Sequence, residues 1–283
     1  MTHGRSGSIS FAPAAPDLSG LLAVSNLLSS VPGVLHGVTS RVVGLGIADG
    51  NVGYGAPRDR ADAWAMRHAW CRAIGINPER LITAHQVHGS SVSLVSADQA
   101  GQGAMPGSTP VAAADALITR DAGVALMTLH ADCQPILIVD RENPAIASVH
   151  AGWRGTVQDV AGATIAAMET AFETRPDGVV AFLSPSIGAC CYEVGNEVVE
   201  AWREQARDDA DRALRAGPRR LHLDIKAANR FLLERAGVPD ENIEASDVCT
   251  RCQGREWFSH RGQGPHTGRF GAIIALVEAS TSD

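Results

Sequence analysis

Residues 128–156 read TLHADCQPILIVDRENPAIASVHAGWRGT, and this stretch decides the fold. It holds two apolar runs, at residues 135–140 and 145–149, and a third run at residues 124–129 leads into it. Short continuous apolar runs of this kind are typical of buried strands. Polar side chains follow the runs at residues 124–129 and 145–149, at strand ends where a fold can aim them into a pocket. They are His130, Asp132, Cys133, His150 and Arg154.

The composition is that of an ordinary globular protein. Of 283 residues, 45% are hydrophobic and 19% are charged, and the formal net charge is −7. The negative charge argues against general nucleic-acid binding, and no apolar run approaches the roughly 18–20 residues that a membrane-spanning helix needs. No apolar core precedes a cleavage site at the N-terminus, so we expect no signal peptide. With six cysteines in a chain of this length, we expect reduced thiols and a cytoplasmic protein.

The order of predicted elements indicates one α/β domain with a mixed sheet. Residues 1–33 are rich in Ser, Gly, Ala and Pro, and we predict a flexible extension there. Residues 34–283 then form a single catalytic domain, since no linker divides them. Apolar residues at helical spacing predict a helix over residues 59–74, and residues 257–259 are predicted as a closing strand.

Two imidazoles and a thiol form the most informative set of candidate ligands. His88 lies at a predicted turn, while Cys133 and His150 follow predicted strands. Zinc prefers tetrahedral nitrogen and sulfur ligands, and three protein ligands leave a fourth position open for chemistry. No local spacing rule recognises this set. Taken singly, each residue is more often a buried thiol or a hydrogen-bonded core imidazole.

Three motifs closely resemble the signature segments of the YfiH family, which is also called multicopper polyphenol oxidase or laccase-like, and more recently purine nucleoside phosphorylase. The motifs are Gln86-Val87-His88-Gly89, Ala131-Asp132-Cys133-Gln134-Pro135 and His150-Ala151-Gly152-Trp153-Arg154-Gly155. The resemblance runs from about His36 to the C-terminus. Further matching segments are Asn51-Val52-Gly53, Asp115-Ala116-Leu117, Cys191-Tyr192-Glu193-Val194-Gly195, Cys249-Thr250 and Thr267-Gly268-Arg269.

This resemblance implies a fold, a metal and an activity. The implied fold is a layered α/β sandwich with mixed sheets and an intertwined internal duplication. His88, Cys133 and His150 would bind a catalytic zinc, with copper also possible. The implied activity is phosphorolysis of adenosine, inosine, guanosine and methylthioadenosine, with deamination of adenosine at the same site. The expected partners are therefore purine nucleosides and phosphate, with no nucleic acid, membrane or obligate protein partner.

The motif residues suit that chemistry. Residues 152–155 connect a strand to a helix start, where free N–H groups favour phosphate, and Arg154 would add a bidentate cation. Asp132 would orient a ligand, move a proton, or cap a helix or turn. The chain departs from the family pattern at His130, where Thr or Ser is usual. His130 is thus an extra ligand, a proton shuttle or a packed substitute.

Other readings of the same residues stay open at this point. Cys133 with His150 or His88 as base would make a cysteine hydrolase, which would suit a role in editing peptidoglycan precursors. A copper-dependent polyphenol oxidase is weaker, because three ligands do not build a multicopper cluster. A non-catalytic binding module is the third class.

Several residues outside the three signature motifs are weaker candidates. Cys249 and Cys252 have the C-x-x-C spacing of a redox pair or half a zinc site. No second C-x-x-C occurs, so we predict reduced thiols there and packing roles for Cys190 and Cys191. A structural role is predicted for His85. The remaining candidates for pocket or phosphate groups are Arg41, Ser259, Arg261 and Arg269.

Overall fold

The computed structural model describes residues 17–277, and within them two mixed sheets dominate. The strands are β1 (Val34–Val38), β2 (Leu81–Ile82), β3 (Val92–Leu94), β4 (Ala116–Thr119), β5 (Ala125–His130), β6 (Gln134–Asp140), β7 (Ala145–Ala151), β8 (Val179–Leu183), β9 (Leu214–Arg215), β10 (His222–Leu223), β11 (Ile243–Ala245) and β12 (Phe270–Leu276).

Each large sheet combines parallel and antiparallel pairs. One sheet has the order β1-β12-β5-β2, in which only β2 and β5 run parallel. The other has the order β11-β8-β6-β7-β4-β3, in which the two outer pairs run parallel and the inner strands antiparallel. The chain passes from the first sheet to the second between β5 and β6, so residues 131–133 lie at a crossing between sheets.

Helices pack around the two sheets. They are α1 (Asn26–Ser29), α2 (Arg60–Ile74), α3 (Trp153–Val157), α4 (Val160–Phe172), α5 (Asn196–Ala206), α6 (Ile225–Arg235) and α7 (His260–Gln263). Side chains of α2 pack on the four-stranded sheet, and those of α4, α5 and α6 pack on the six-stranded sheet. Among the described residues, no helix combines the length and apolarity needed to span a bilayer.

Strand β6 shows why a continuous apolar run marks this core. All its residues are buried. Leu137 and Val139 point into the layer between the two sheets, whereas Ile136 and Ile138 point towards the helices. A strand covered on both faces needs apolar side chains at every position, and each such side chain contributes about 1.5–3 kcal/mol by burial.

The prediction of a single α/β domain with mixed sheets is confirmed by this architecture. The predicted helix over residues 59–74 is α2, which Asp59 caps through the N–H of Asp62. The predicted strand at residues 257–259 is wrong. Trp257 is buried because its ring meets Phe270 edge to face, and Ser259 caps α7 by accepting the N–H of Gly262.

The packed region begins earlier than the expected boundary at Val34. Leu18 and Leu28 are buried, and Ala23 pairs with Val38 of β1. The hydroxyl of Ser25 also donates to the Glu244 carboxylate at 2.8 Å. Apolar side chains and hydrogen bonds thus fix residues 17–33, and the prediction of a flexible extension is wrong for this part of it. Residues 1–16 lie outside the described part of the chain.

Candidate metal centre and substrate cavity

The structure brings together the three predicted ligands. His88 lies at the turn before β3, Cys133 lies in the crossing from β5 to β6, and His150 lies near the end of β7. Their ligand atoms all lie within 4.8 Å of one another. His150 is buried, Cys133 is partly buried and His88 is exposed, so the group is open to solvent on one side.

Asp115, which the motif analysis did not single out as a site residue, holds two of these ligands. Its carboxylate is fully buried and accepts the Nδ1 hydrogen of His150 at 2.8 Å. It also accepts the backbone N–H groups of Val87, His88 and Gly89 at 3.2, 3.0 and 2.7 Å. Because Nδ1 of His150 is engaged, Nε2 remains for the centre. A carboxylate that fixes an imidazole in this way is typical of metal sites.

The electrostatics of the group favour a thiolate at Cys133. Burial opposes the charge, but the charge and hydrogen bond of His150 and those of His88 outweigh it and lower the pKa of the Cys133 thiol. Burial likewise opposes a charged His150, but the Cys133 thiolate and Asp115 raise the pKa of that imidazole. A thiolate is the form of cysteine that binds metal and acts as a nucleophile.

Two glycines of the motif at residues 150–155 permit close approach. A Cβ at Gly152 would lie 3.0 Å from the Cys133 sulfur and 3.3 Å from the His88 ring. A Cβ at Gly155 would lie 2.8 Å from the carbonyl oxygen of Gly89. Any side chain at these positions would push the turn of His88 away from Cys133.

The three ligands lie in the wall of a cavity of about 930 Å³. Asp132 is the sole carboxylate among the described residues that line it. None of the ion pairs formed by described residues includes an arginine of this lining. The lining is therefore strongly cationic although the whole chain is acidic. These arginines are Arg58, Arg60, Arg67, Arg261 and Arg269.

Backbone carbonyls hold the guanidinium groups in place. Arg58 and Arg269 both donate to the carbonyl oxygen of Thr267. Burial, together with the neighbouring Arg58 charge, lowers the pKa of Arg269. Asn51 fixes this arrangement, because its Oδ1 accepts the N–H groups of Gly53 and Arg269 at 3.0 and 2.8 Å. Two like charges held side by side indicate a binding place for an anion.

Arg154 does not line this cavity, although its charge acts on the cavity-lining Tyr192. Its side chain is exposed and stacks on the Trp153 ring at 4.5 Å from the ring centre. It is not part of the cavity lining, and α3 has only five residues, too few for a strong helix dipole. The phosphate role of Arg154 therefore stays a prediction, and the cavity arginines offer an alternative.

Asp132 lines the cavity, but other groups occupy its oxygens. Its carboxylate accepts the Thr250 hydroxyl at 2.6 Å and the N–H of Arg261, in the first turn of α7, at 2.8 Å. Of the roles left open for Asp132, these contacts favour the cap.

His130 is a packed substitute rather than an extra ligand. It is buried, and its ring stacks on Phe270. Its Nε2 lies 2.8 Å from the Thr128 hydroxyl and its Nδ1 lies 3.2 Å from the Cys133 carbonyl oxygen, so both nitrogens are engaged.

The remaining candidates divide between the cavity and the scaffold. Arg261, Arg269 and also His85 line the cavity, although His85 was expected to be structural. Arg41 instead pairs with Asp49 and donates to the Gly254 carbonyl oxygen outside the lining. Ser259, the cap of α7, is fully buried.

The donor set fits zinc by its chemistry. Two imidazoles and one thiolate are ligands that zinc prefers, and three of them leave a position for water or substrate. The bond from His150 to Asp115 aims the free imidazole nitrogen, as such a site requires.

Comparison with known proteins gives consistent results. The model of the family described as multi-copper polyphenol oxidoreductase laccase matches residues 35–277. A relative from Geobacillus stearothermophilus, named purine nucleoside phosphorylase YlmD, is 35% identical over 232 residues, which are 82% of this chain and 85% of the relative. A protein from an unknown prokaryotic organism, named adenosine deaminase RL5, is 36% identical over 197 residues, which are 69% of this chain and 75% of that protein.

Solved structures show the same fold. The crystal structure of YlmD from Geobacillus stearothermophilus matches with a TM-score of 0.84 and 32% identity, covering 90% of this chain and 94% of that one. The crystal structure of the hypothetical protein YfiH from Bacillus licheniformis matches with a TM-score of 0.81 and 28% identity, covering 86% of this chain and 92% of that one.

Proposed function

We propose that this chain, which belongs to the family described as multi-copper polyphenol oxidoreductase laccase, is a zinc-dependent purine nucleoside phosphorylase that also deaminates adenosine. Relatives with 35% and 36% identity carry the names of these two enzymes. The expected substrates are adenosine, inosine, guanosine and methylthioadenosine, with phosphate as the second substrate.

One observation carries the proposal: the candidate metal centre shares its cavity with arginines that form no ion pair with a carboxylate of the described residues. A buried or half-buried guanidinium is costly unless an anion pairs with it. Arg67 is the most buried of them, with 1% of its surface exposed, and its guanidinium donates to the carbonyl oxygens of Val52 and Ala104 rather than to an anion. A second substrate with a double negative charge would supply that pairing, and phosphate meets this need.

We assign phosphate binding to Arg58 and Arg269, whose guanidinium groups share the Thr267 carbonyl oxygen. Phosphorolysis forms a bond between a phosphate oxygen and C1′ of the ribose, while the bond from C1′ to the purine nitrogen breaks and the base leaves with a proton. The arginines would hold the attacking oxygen against the sugar and reduce its repulsion from other charge. Tyr192 lines the same cavity and offers an aromatic surface for the base.

His88, Cys133 and His150 would hold the zinc ion. When bound there, zinc would supply a Lewis acid that activates water at neutral pH, which is the chemistry that deamination needs. Asp115 would keep His150 in the orientation and tautomer that ligation needs, through the bond to Nδ1.

The test is turnover of inosine and adenosine by the purified full chain, zinc-loaded and chelator-stripped, with and without phosphate. We expect hypoxanthine and ribose 1-phosphate from inosine only when both zinc and phosphate are present. Adenosine should give inosine with zinc even without phosphate. Zinc-loaded protein that releases no base from inosine in phosphate would refute the phosphorylase proposal.

A pair of variants compares an arginine of the cavity with an arginine of the surface. Arg269→Ala should raise the KM for phosphate roughly 10- to 100-fold, which is the equivalent of one lost charge-assisted bond. It should leave deamination in phosphate-free buffer less affected. Arg175→Ala is the matched control, because Arg175 is paired with Asp177 on the surface. Arg154→Ala tests the original prediction, and a larger effect on phosphate KM than that of Arg269→Ala would move the phosphate site to Arg154.

The cysteine hydrolase remains the second candidate, because one observation favours it. Cys133, His150 and Asp115 are linked in the order thiol, imidazole and carboxylate, which resembles the arrangement of a cysteine nucleophile with its base and orienting acid. Metal-stripped protein with full activity on a peptidoglycan precursor, lost after thiol alkylation, would establish it. The copper-dependent oxidase would require oxidation of a phenol by the copper-loaded chain.

A further inference from the structure

A second cluster of metal-binding side chains lies outside the site described above. Cys190 and Cys191 lie between β8 and α5, and Cys249 and Cys252 lie in the turns after β11. All four are free thiols, and their sulfur atoms lie within 4.8 Å of one another. The sequence predicted reduced thiols at Cys249 and Cys252 but not this convergence, because the two pairs are far apart along the chain.

The sulfur separations match tetrahedral coordination better than a disulfide. The Cys252 sulfur lies 3.6 Å from that of Cys190 and 3.4 Å from that of Cys191. A disulfide requires about 2.0 Å. Four sulfurs at the zinc–thiolate distance of about 2.3 Å from a common centre are about 3.8 Å apart.

The surrounding groups support a thiolate at Cys249. The N–H of Gly188 donates to the Cys249 sulfur at 3.2 Å. A Cβ at Gly188 would lie 3.3 Å from the Cys190 sulfur and 3.5 Å from that of Cys249, so glycine lets the two segments approach. Lys226, which donates to the Val248 carbonyl oxygen, places a positive charge near Cys249. N–H donors and a nearby cation offset the negative charge of a tetrathiolate site.

The cluster joins a segment of the cavity wall, which contributes Ile187 and Tyr192, to the turns after β11. Ser186 pairs with Cys249 across a β-bridge, and the N–H of Thr250 donates to the Ser186 carbonyl oxygen at 3.1 Å. The cavity-lining Tyr192 follows Cys191 directly. Covalent ligation at this place would fix the position of that wall.

We propose that Cys190, Cys191, Cys249 and Cys252 bind a second, structural zinc ion in tetrathiolate coordination. With all four positions filled by protein, this ion has no room for substrate and serves the fold. The site does not depend on the function of the first centre, and it holds the cavity wall that carries Tyr192.

Metal content of the full chain, measured by plasma mass spectrometry after zinc loading and gel filtration, tests this inference. We expect about two zinc ions per wild-type chain and about one in either His88→Ala or Cys252→Ser, since each site would bind one ion and each substitution removes one of its ligands. Cys252 is exposed, so serine there should leave the fold intact. Cys71→Ala is the control, because Cys71 is a buried thiol outside both clusters.

Cobalt(II) gives a second readout that isolates the cluster. The His88→Ala protein loaded with cobalt should show the intense visible absorption of a tetrahedral tetrathiolate ion, and the added Cys252→Ser change should remove that absorption. A His88→Ala protein without bound metal, or disulfides among these cysteines in the mass of freshly purified protein, would overturn the inference. A chain that shows this cobalt spectrum but no nucleoside turnover would contradict the proposed function and still support the tetrathiolate site.

Discussion

Replacing Asp115 by asparagine tests whether this carboxylate organises the metal centre. Oδ1 accepts the N–H of His88 and the ring hydrogen of His150, while Oδ2 accepts the N–H groups of Val87 and Gly89. An amide keeps one oxygen and turns the other into a donor. Whichever way the introduced amide is rotated, two hydrogen bonds are replaced by opposed donors.

The magnitude follows from those two bonds. Hydrogen bonds to a charged acceptor contribute about 1.5–3 kcal/mol each, so their loss sets an upper limit of roughly 3–6 kcal/mol on the change in the free energy of unfolding. Removal of a fully buried charge relieves its desolvation and offsets part of this loss. We therefore expect the lower half of that range. Zinc affinity should fall about 10- to 100-fold, because loss of a partner that orients a ligand has effects of this size.

Zinc affinity is measured by competition with a chromophoric chelator, and stability by urea unfolding of the metal-free protein. Asp140→Asn is the matched control. Asp140 is also buried, at the end of β6 that lies away from Cys133. One of its oxygens accepts the N–H groups of Glu142 and Asn143, while the other has no partner. An asparagine at this position can therefore keep both hydrogen bonds. Wild-type zinc affinity in folded Asp115→Asn protein would refute the orienting role.

Three further predictions concern stability and fit. Burial lowers the pKa of His36 from 6.5 to about 4, so the fold favours the neutral imidazole. Its contribution is fully present above pH 6.5, and up to about 3 kcal/mol of the free energy of unfolding should be lost as the pH falls from 6.5 to about 4. Urea titrations should show a smaller pH dependence in His36→Gln. Gly152→Ala should reduce zinc content with the fold retained, because its Cβ would crowd the Cys133 sulfur, whereas Gly20→Ala, with open space around it, should not. Leu137→Ala should lower the free energy of unfolding by about 2–5 kcal/mol through a cavity between the sheets, as measured by urea unfolding.

The sequence predicted the core strands because their signal is local. The apolar run at residues 135–140 corresponds to β6 and the run at residues 145–149 lies within β7. Burial on both faces leaves a continuous apolar pattern that needs no knowledge of neighbouring strands. The family resemblance, carried by the three motifs, is confirmed by the match over residues 35–277. Sheet order was not predictable, because pairing between β1 and β12 joins opposite ends of the chain.

The candidate site shows the same difference between local sequence signals, which were predictable, and long-range contacts, which were not. His88, Cys133 and His150 were found because each lies in a recognisable motif. Asp115 was not assigned a role, because its contacts with the turn of His88 and with His150 depend on the register of β4 against β7. Arg58 was missed for a similar reason, since only the fold brings it beside Arg269 near the other end of the chain.

Asp132 explains how the metal centre and the cavity wall are held in one geometry. Its peptide bond neighbours the candidate ligand Cys133, and its carbonyl oxygen accepts the N–H of Ile187 at 3.1 Å. Its carboxylate binds Thr250 and the backbone of Arg261. One residue thus ties three separate segments to the crossing between the sheets, and two of them, at Ile187 and Arg261, line the cavity. The proposed tetrathiolate site joins the segments of Ile187 and Thr250. With the wall held at both places, the guanidinium of Arg261 and the ring of Tyr192 would keep a defined position relative to Cys133, which the proposed reaction between two bound substrates would require.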